Sequence, residues 1–128
     1  MNLSTPQINV NKTQEELYQF LSDFNNFSKL MPQNTDKFEL TENGFLFALK
    51  GMPTIKLKLQ EKTPFSKIVL ASASDQFPFT LTVNIFENNG KAKANLEFEG
   101  KFNPMISMMV KKPLQKFIDT LTENIKKL

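Results

Sequence analysis

The sequence predicts an α+β fold in which an antiparallel sheet of about seven strands has one face covered by a long C-terminal helix. Two observations support this fold class. Residues 37 to 101 alternate between apolar and polar side chains, which is the period of a half-buried strand. The end of the chain instead carries apolar side chains at helical spacing from Leu114 to Leu128. Because a sheet with one dry face needs a cover, the C-terminal helix is the element expected to supply it.

Composition limits the chemistry available. The chain has 128 residues, enough to bury one core, and we expect a single domain over residues 1–128. Cysteine and histidine are absent, which excludes disulfides, thiolate nucleophiles and Cys/His zinc sites. All 16 basic residues are lysines, so the guanidinium fork that grips phosphate is missing. We therefore expect no metal, no cofactor and no nucleic-acid partner.

Charge and hydropathy bear on the solubility and the cellular location of the protein. The net charge is +3, and the lysines are spread along the chain as on ordinary solvated faces. The N-terminal residues have neither a basic start nor a continuous apolar run. No later stretch approaches the roughly 18 apolar residues of a membrane span. We expect a soluble, cytoplasmic protein that is a monomer or a weak dimer.

The N-terminal part predicts a strand followed by two short helices. The strand is QINV, residues 7–10. Thr13 and Glu16 form a capping-box pattern, in which each side chain accepts a hydrogen bond from the other residue's N–H. The helix that starts there is expected to break at the Asn pair, residues 25–26. A second short helix should end at Pro32, since proline cannot continue a helix.

Two Asn-Gly pairs predict two hairpin registers, because Asn and Gly tolerate the positive φ of a two-residue turn. The turn at Asn89-Gly90 brings apolar pairs together on one face. These pairs are Ile85 with Ala94, Val83 with Leu96 and Leu81 with Phe98. The turn at Asn43-Gly44 gives the same one-sided pattern. Its pairs are Leu40 with Phe47 and Phe38 with Leu49. A slip of one residue would move these side chains to the other face.

The other strands complete an apolar inner face. Residues 55–59 alternate cleanly, residues 63–66 turn the chain, and the inward set of residues 67–74 is ambiguous. None of the inward side chains predicted by these registers can ionise. They are Phe38, Leu40, Phe47, Leu49, Ile55, Leu57, Leu59, Phe79, Leu81, Val83, Ile85, Ala94, Leu96 and Phe98.

The order of these elements resembles the helix-grip fold of the START-like superfamily, also called SRPBCC. The likeness covers nearly the whole chain, and its most suggestive piece is TQEELYQFLSDFNNFSKLMP, residues 13–32, which looks like the family's first helix pair. The resemblance implies a curved sheet that wraps around the last helix and leaves a hydrophobic cavity between them. The family includes polyketide cyclases and coenzyme Q-binding proteins. It has no universal catalytic residues, so the resemblance assigns none.

The start of the C-terminal helix differs from its end. Met105, Met108 and Met109 project onto the side opposite the apolar stripe. Pro113 cannot donate to the carbonyl four residues earlier, so we expect the helix to kink or restart there. The residues before it would then take their own direction. In the START-like arrangement these methionines and Met52 either gather at the cavity mouth, adapting to varied ligands, or pack against loops as filler.

The leading function is the binding or transport of a small hydrophobic ligand, such as a lipid, isoprenoid or polyketide-like compound. The inner face without ionisable groups motivates this interpretation. The phenylalanines are equally suited to an ordinary core. The residues expected to contact the ligand are Tyr18, Phe47, Leu57, Phe79, Leu81, Phe98, Met105, Met108 and Met109.

Two alternatives stay open. A cyclase or dehydrase would orient its substrate in an apolar cavity and move protons with groups at the edges. The candidates for such groups are Tyr18, Asp36, Lys50 and Asp75, each of which also suits a surface or turn position. Ser72 or Ser74 is a candidate to hydrogen-bond a ligand headgroup. The second alternative is a co-chaperone-like interaction domain with a filled interior and an exposed apolar patch.

Transient contact with a membrane is a further hypothesis. Lys111, Lys112 and Lys116 adjoin the methionines, and each lysine near an anionic surface contributes up to about 1 kcal/mol of attraction. Lys126 and Lys127 need no such role, because the helix macrodipole favours lysine at a C-terminus.

Overall fold

The computed structural model describes residues 1–73 and 78–128, which form one antiparallel sheet and three helical segments. The strands are β1 (Asn2–Ser4), β2 (Ile8–Val10), β3 (Thr35–Thr41), β4 (Gly44–Leu49), β5 (Ile55–Thr63), β6 (Lys67–Ser72), β7 (Phe79–Asn88) and β8 (Lys91–Gly100). The helices are α1 (Gln14–Ser22), a 3-10 helix (Phe24–Lys29) and α2 (Pro104–Lys126). The predicted α+β class is confirmed, and the long last helix against an open sheet is the helix-grip arrangement.

The strands follow one another in the order β1-β8-β7-β6-β5-β4-β3, and β2 also pairs with β8. The predicted N-terminal strand is β2, and a further short strand that was not predicted, β1, lies in line with it along β8. Leu3 lies opposite Phe98, and Val10 lies opposite Ala92. Pro6 stands between the two strands and has no N–H to donate to a ladder, which accounts for the interruption.

The predicted capping box at the start of α1 is confirmed. The Glu16 N–H donates to the Thr13 hydroxyl at 3.1 Å, and the Thr13 N–H donates to the Glu16 carboxylate at 2.9 Å. The Asn pair, however, does not separate the two helices. Asp23 does so, because its carboxylate accepts from the Asn25 N–H at 3.1 Å and caps the 3-10 helix, which runs through both asparagines.

The β7–β8 hairpin has the predicted register. Asn89 and Gly90 have positive φ angles of 53° and 81°, as a tight hairpin turn requires. All three predicted apolar pairs are present, including Leu81 opposite Phe98.

The β3–β4 hairpin differs from its prediction by two residues. Glu42 and Asn43 form the loop, and Gly44 belongs to β4, so Phe38 lies opposite Phe47. A shift of two keeps every side chain on its predicted face. Leu40 nevertheless remains 53% exposed, because β3 is at the edge of the sheet.

Gly44 sits where two strands approach closely. An ideal Cβ at this position would overlap the carbonyl oxygen of Leu57 and lie 2.9 Å from the Cα of Lys58 on β5. The close packing of β4 against β5, and not a turn, therefore explains why residue 44 is a glycine.

The inner face of the sheet and α2 bury the core between them. The predicted apolar stripe of α2 is confirmed, and its buried members are Leu114, Phe117, Ile118, Leu121 and Ile125. The ambiguous strand, β6, places Ile68 opposite Val83 and Leu70 opposite Leu81, so its even-numbered side chains join this face.

α2 continues through Pro113 as one element, so the helix does not restart there. The Asn103 side chain caps its start by accepting from the Ile106 N–H at 2.9 Å. Within the described ranges, no helix has the length and apolarity needed to cross a bilayer.

Candidate functional site

A cavity of about 270 Å³ lies between the inner face of the sheet and the N-terminal half of α2. It occupies one end of the sheet, where β4, β5, β6, β7 and β8 each contribute side chains. The described residues that line it are Phe47, Met52, Pro53, Thr54, Ile55, Lys56, Leu57, Ser72, Phe79, Leu81, Phe98, Phe102, Ile106, Val110, Leu114 and Phe117.

The strand side of the cavity follows from the two-residue period of a β-strand. Ile55 and Leu57 on β5 are two residues apart and line the cavity, and the side chain of Lys56 between them is exposed. Phe79 and Leu81 on β7 are likewise two residues apart and line the cavity. Leu81 also lies opposite Phe98, so the register of the β7–β8 hairpin sets this wall.

The helix side follows from the spacing of α2. Ile106, Val110, Leu114 and Phe117 are separated by four, four and three residues, so they share one face. Ile106 and Val110 were missed in the sequence because the helix was expected to change direction at Pro113. Counting back in fours from Leu114 through a continuous helix identifies both.

Aromatic rings make the walls of the cavity. Phe47 stacks on Phe117 with centroids 4.8 Å apart, and Phe79 stacks on Phe98 at 5.0 Å. Phe98 also contacts Phe102 at 6.2 Å. Stacked rings that are held on both sheet and helix have few alternative rotamers, so the apolar surface is largely preformed.

The polar groups of the lining are few. Thr54 and Ser72 bring hydroxyls, and Lys56 is the one ionisable residue in the described lining. The Lys56 carbonyl accepts a hydrogen bond from the Ala73 N–H at 2.9 Å. Chemically, the described walls can exclude water and hold apolar groups, but they bring no acid and base together.

Five predicted ligand-contacting residues line the cavity: Phe47, Leu57, Phe79, Leu81 and Phe98. Tyr18 does not line it. This residue is buried on α1, its ring packs edge-on against Phe65 at 5.6 Å, and the Lys62 ammonium lies 5.7 Å from its centroid. It is therefore a packing residue between α1 and the β5–β6 turn.

The three predicted site methionines of α2 do not line the cavity either. Met105, Met108 and Met109 are 72%, 83% and 70% exposed. Because α2 is continuous through Pro113, they stay on the side opposite the buried stripe. Met52 is the one methionine among the described lining residues.

The proposed edge groups are scattered. Asp36 and Lys50 are exposed and do not line the cavity, whereas Ser72 does. Ser74 and Asp75 lie outside the described residues.

A second hollow, which we call the lysine groove, adjoins the cavity and has a volume of about 380 Å³. It lies between α2 and the segment that connects β4 to β5, and it shares Met52 and Phe117 with the cavity. Its described lining is Pro32, Asn34, Leu49, Lys50, Gly51, Met52, Lys112, Pro113, Lys116, Phe117 and Thr120.

Comparison with known proteins relates the chain to a known fold. A protein-family model matches residues 1–128. A START superfamily protein from Mycobacterium smegmatis superposes with a TM-score of 0.69 at 11% identity, covering 98% of this chain and 97% of that one. The chain shares the START-like fold of that protein.

Other solved structures resemble this START-like chain. XoxI from Bacillus cereus matches with a TM-score of 0.71 at 16% identity, over 98% of this chain and 93% of that one. The KanY protein matches with a TM-score of 0.79 at 12% identity, over 99% and 95%. At these identities the likeness concerns the fold. No curated protein matches the START-like chain in sequence.

Proposed function

We propose that the protein binds a small hydrophobic molecule in the cavity between the sheet and α2. The observation that carries this proposal is the apolar cavity itself, with its stacked aromatic walls. Its volume of about 270 Å³ is slightly below the roughly 300–1,000 Å³ of typical small-molecule sites. A cavity of this size suits a short aliphatic chain or a compact ring system.

The two alternative functions receive less support. For the cyclase or dehydrase, neither Tyr18 nor Asp36 lines the cavity, so these first candidates lack access to a bound substrate. The co-chaperone-like domain called for a filled interior, whereas the cavity leaves space. Its exposed apolar patch does have a counterpart in the methionines of α2.

A matched pair of variants tests the proposal. Val110→Phe adds a ring to the cavity wall, whereas Met109→Phe adds one to the neighbouring exposed position. Calorimetric titration with decanol should show binding to the wild type and to Met109→Phe, and at least about tenfold weaker binding to Val110→Phe. Equal affinity of all three proteins would place the binding elsewhere, and no binding by the wild type would count against the proposal.

A transport role is supported by a separate observation. Met105, Met108 and Met109 form an exposed apolar face at the start of α2, on the side of the helix opposite the cavity-lining Ile106 and Val110. Exposed lysines at 101, 111 and 112 flank this face. An apolar patch bordered by positive charge suits an anionic bilayer, from which a ligand would be collected. Vesicle co-sedimentation tests this contact.

A further inference from the structure

We propose that the lysine groove binds the anionic headgroup of an amphipathic ligand whose apolar part occupies the adjoining cavity. This inference rests on the proposed function, since it places the tail in the same cavity. The ligand class is a carboxylate or a phosphate that carries a short apolar chain.

The lining of the lysine groove is positively charged. Lys50, Lys112 and Lys116 line it, and none of its described lining residues is acidic. Among the described residues, none of the three lysines forms an ion pair. Asp119 and Glu123 on α2 do not line the groove; they border a further hollow, which Lys112 and Lys116 also line. Three cations around one concave surface create a positive potential that an anion would relieve.

The lysine groove lies next to the apolar cavity. The cavity and the groove share Met52 and Phe117 as walls, so a molecule at the end of one hollow reaches the other past these side chains. Phe117 is held by its stack on Phe47. Met52 is half-buried, and its unbranched thioether chain adopts several rotamers at low cost. Met52 is therefore the residue that would move to connect the two spaces.

The backbone holds the rim of the groove in place. The Lys50 N–H donates to the Asn34 carbonyl at 2.9 Å, and the Met52 N–H donates to the Leu49 carbonyl at 2.9 Å. Gly51 between them has a φ of 83°, which a side chain would disfavour. This turn fixes the backbone of Lys50 beside that of Met52, which brings a cation next to the junction of the two hollows.

Lysine chemistry sets the expected specificity. Ammonium groups act as point charges, without the planar fork with which arginine selects bidentate partners. The groove should therefore accept carboxylates and phosphates alike, while the cavity demands the apolar chain. An uncharged alcohol of equal length should occupy the cavity alone.

The test compares three probes with the same chain: decanoate, decyl phosphate and decanol, titrated calorimetrically at neutral pH and low salt. The groove variant is Lys50→Gln/Lys112→Gln/Lys116→Gln. The matched control, Lys58→Gln/Lys91→Gln/Lys126→Gln, removes three exposed lysines outside the groove. We expect the wild type and the control to bind both anions about tenfold more tightly than decanol, and the groove variant to bind all three with similar affinity.

Each contrary outcome has a distinct meaning. Binding of decanol together with unchanged decanoate affinity in the groove variant would overturn the headgroup site and leave the cavity proposal standing. Failure of all three probes to bind the wild type would overturn both. Inorganic phosphate alone, if it binds as tightly as decyl phosphate, would make the groove a site for free anions and not for an amphipathic ligand.

Discussion

The rings of Phe47 on β4 and Phe117 on α2 stack face to face, with centroids 4.8 Å apart and planes inclined by 14°. This pair joins the sheet to the helix, and it also borders the cavity. Phe117 additionally borders the lysine groove. The same contact thus contributes to the stability of the fold and to the shape of the site.

Phe117→Ala should lower the free energy of unfolding by about 3–5 kcal/mol, because it removes a buried ring together with its stacking contact to Phe47 and leaves a void. Phe86→Ala is the matched control. Phe86 is 39% exposed, so its removal should cost less than about 1 kcal/mol. Urea denaturation measures both, and equal costs would contradict the structural role of the stack.

Gly44→Ala should destabilise the protein by more than about 2 kcal/mol, because the new Cβ overlaps the Leu57 carbonyl and the backbones of β4 and β5 must separate. Gly90→Ala meets nothing within 4 Å and changes only a residue with φ of 81°. Its cost should be about 1–2 kcal/mol. Thermal or urea unfolding that ranks Gly90→Ala as the more damaging change would refute this account of Gly44.

Acid should weaken the start of α1. The Thr13 backbone N–H, and then its hydroxyl, hold the pKa of Glu16 below its usual value. A lowered folded-state pKa means that the stabilisation is fully present above the unfolded pKa, about 4.3, and is lost as pH falls through the folded value. The stability difference between wild type and Glu16→Gln should therefore shrink in this window. A difference that stays constant from neutral pH to about pH 2 would exclude this linkage.

The exposed methionines should contribute to membrane binding and not to the stability of the fold. The variant Met105→Ser/Met108→Ser/Met109→Ser should sediment less with anionic vesicles than the wild type, while its unfolding free energy stays within about 1 kcal/mol. Binding by the wild type should fall as salt rises, since lysines supply part of the attraction. Leu40→Ser, at an exposed position on β3, is the control. Equal, negligible binding to anionic and neutral vesicles would remove the membrane from the mechanism.

Local sequence predicted the fold where one physical cause dominates. At Asn89-Gly90 both residues adopt positive φ, so the turn and the register agree with the pattern. At Asn43-Gly44 the same dipeptide led to a wrong turn position. Gly44 is required by its close contact with a neighbouring strand, and not by the turn. Such a close approach between strands leaves no signal in the local sequence. The register was therefore wrong by two residues, although each side chain lies on its predicted face.

The site was predictable on its strand side and less so on its helix side. Alternation places the inward strand residues on one face, and six of those predicted line the cavity: Phe47, Ile55, Leu57, Phe79, Leu81 and Phe98. On the helix, Pro113 was given too much weight: a proline removes one hydrogen bond, yet packing of Leu114 and its neighbours holds α2 in one piece. The lysine groove was not foreseen, because it joins residue 50 to residues 112 and 116 through tertiary contact alone.

Whether the cavity holds an apolar ligand can be seen directly in a crystal structure of the protein grown with decanol. We expect electron density for the alkyl chain between the sheet and α2, in contact with Phe47, Leu81 and Val110. An interior closed by these side chains, with decanol absent or bound only on the outer surface, would contradict this expectation.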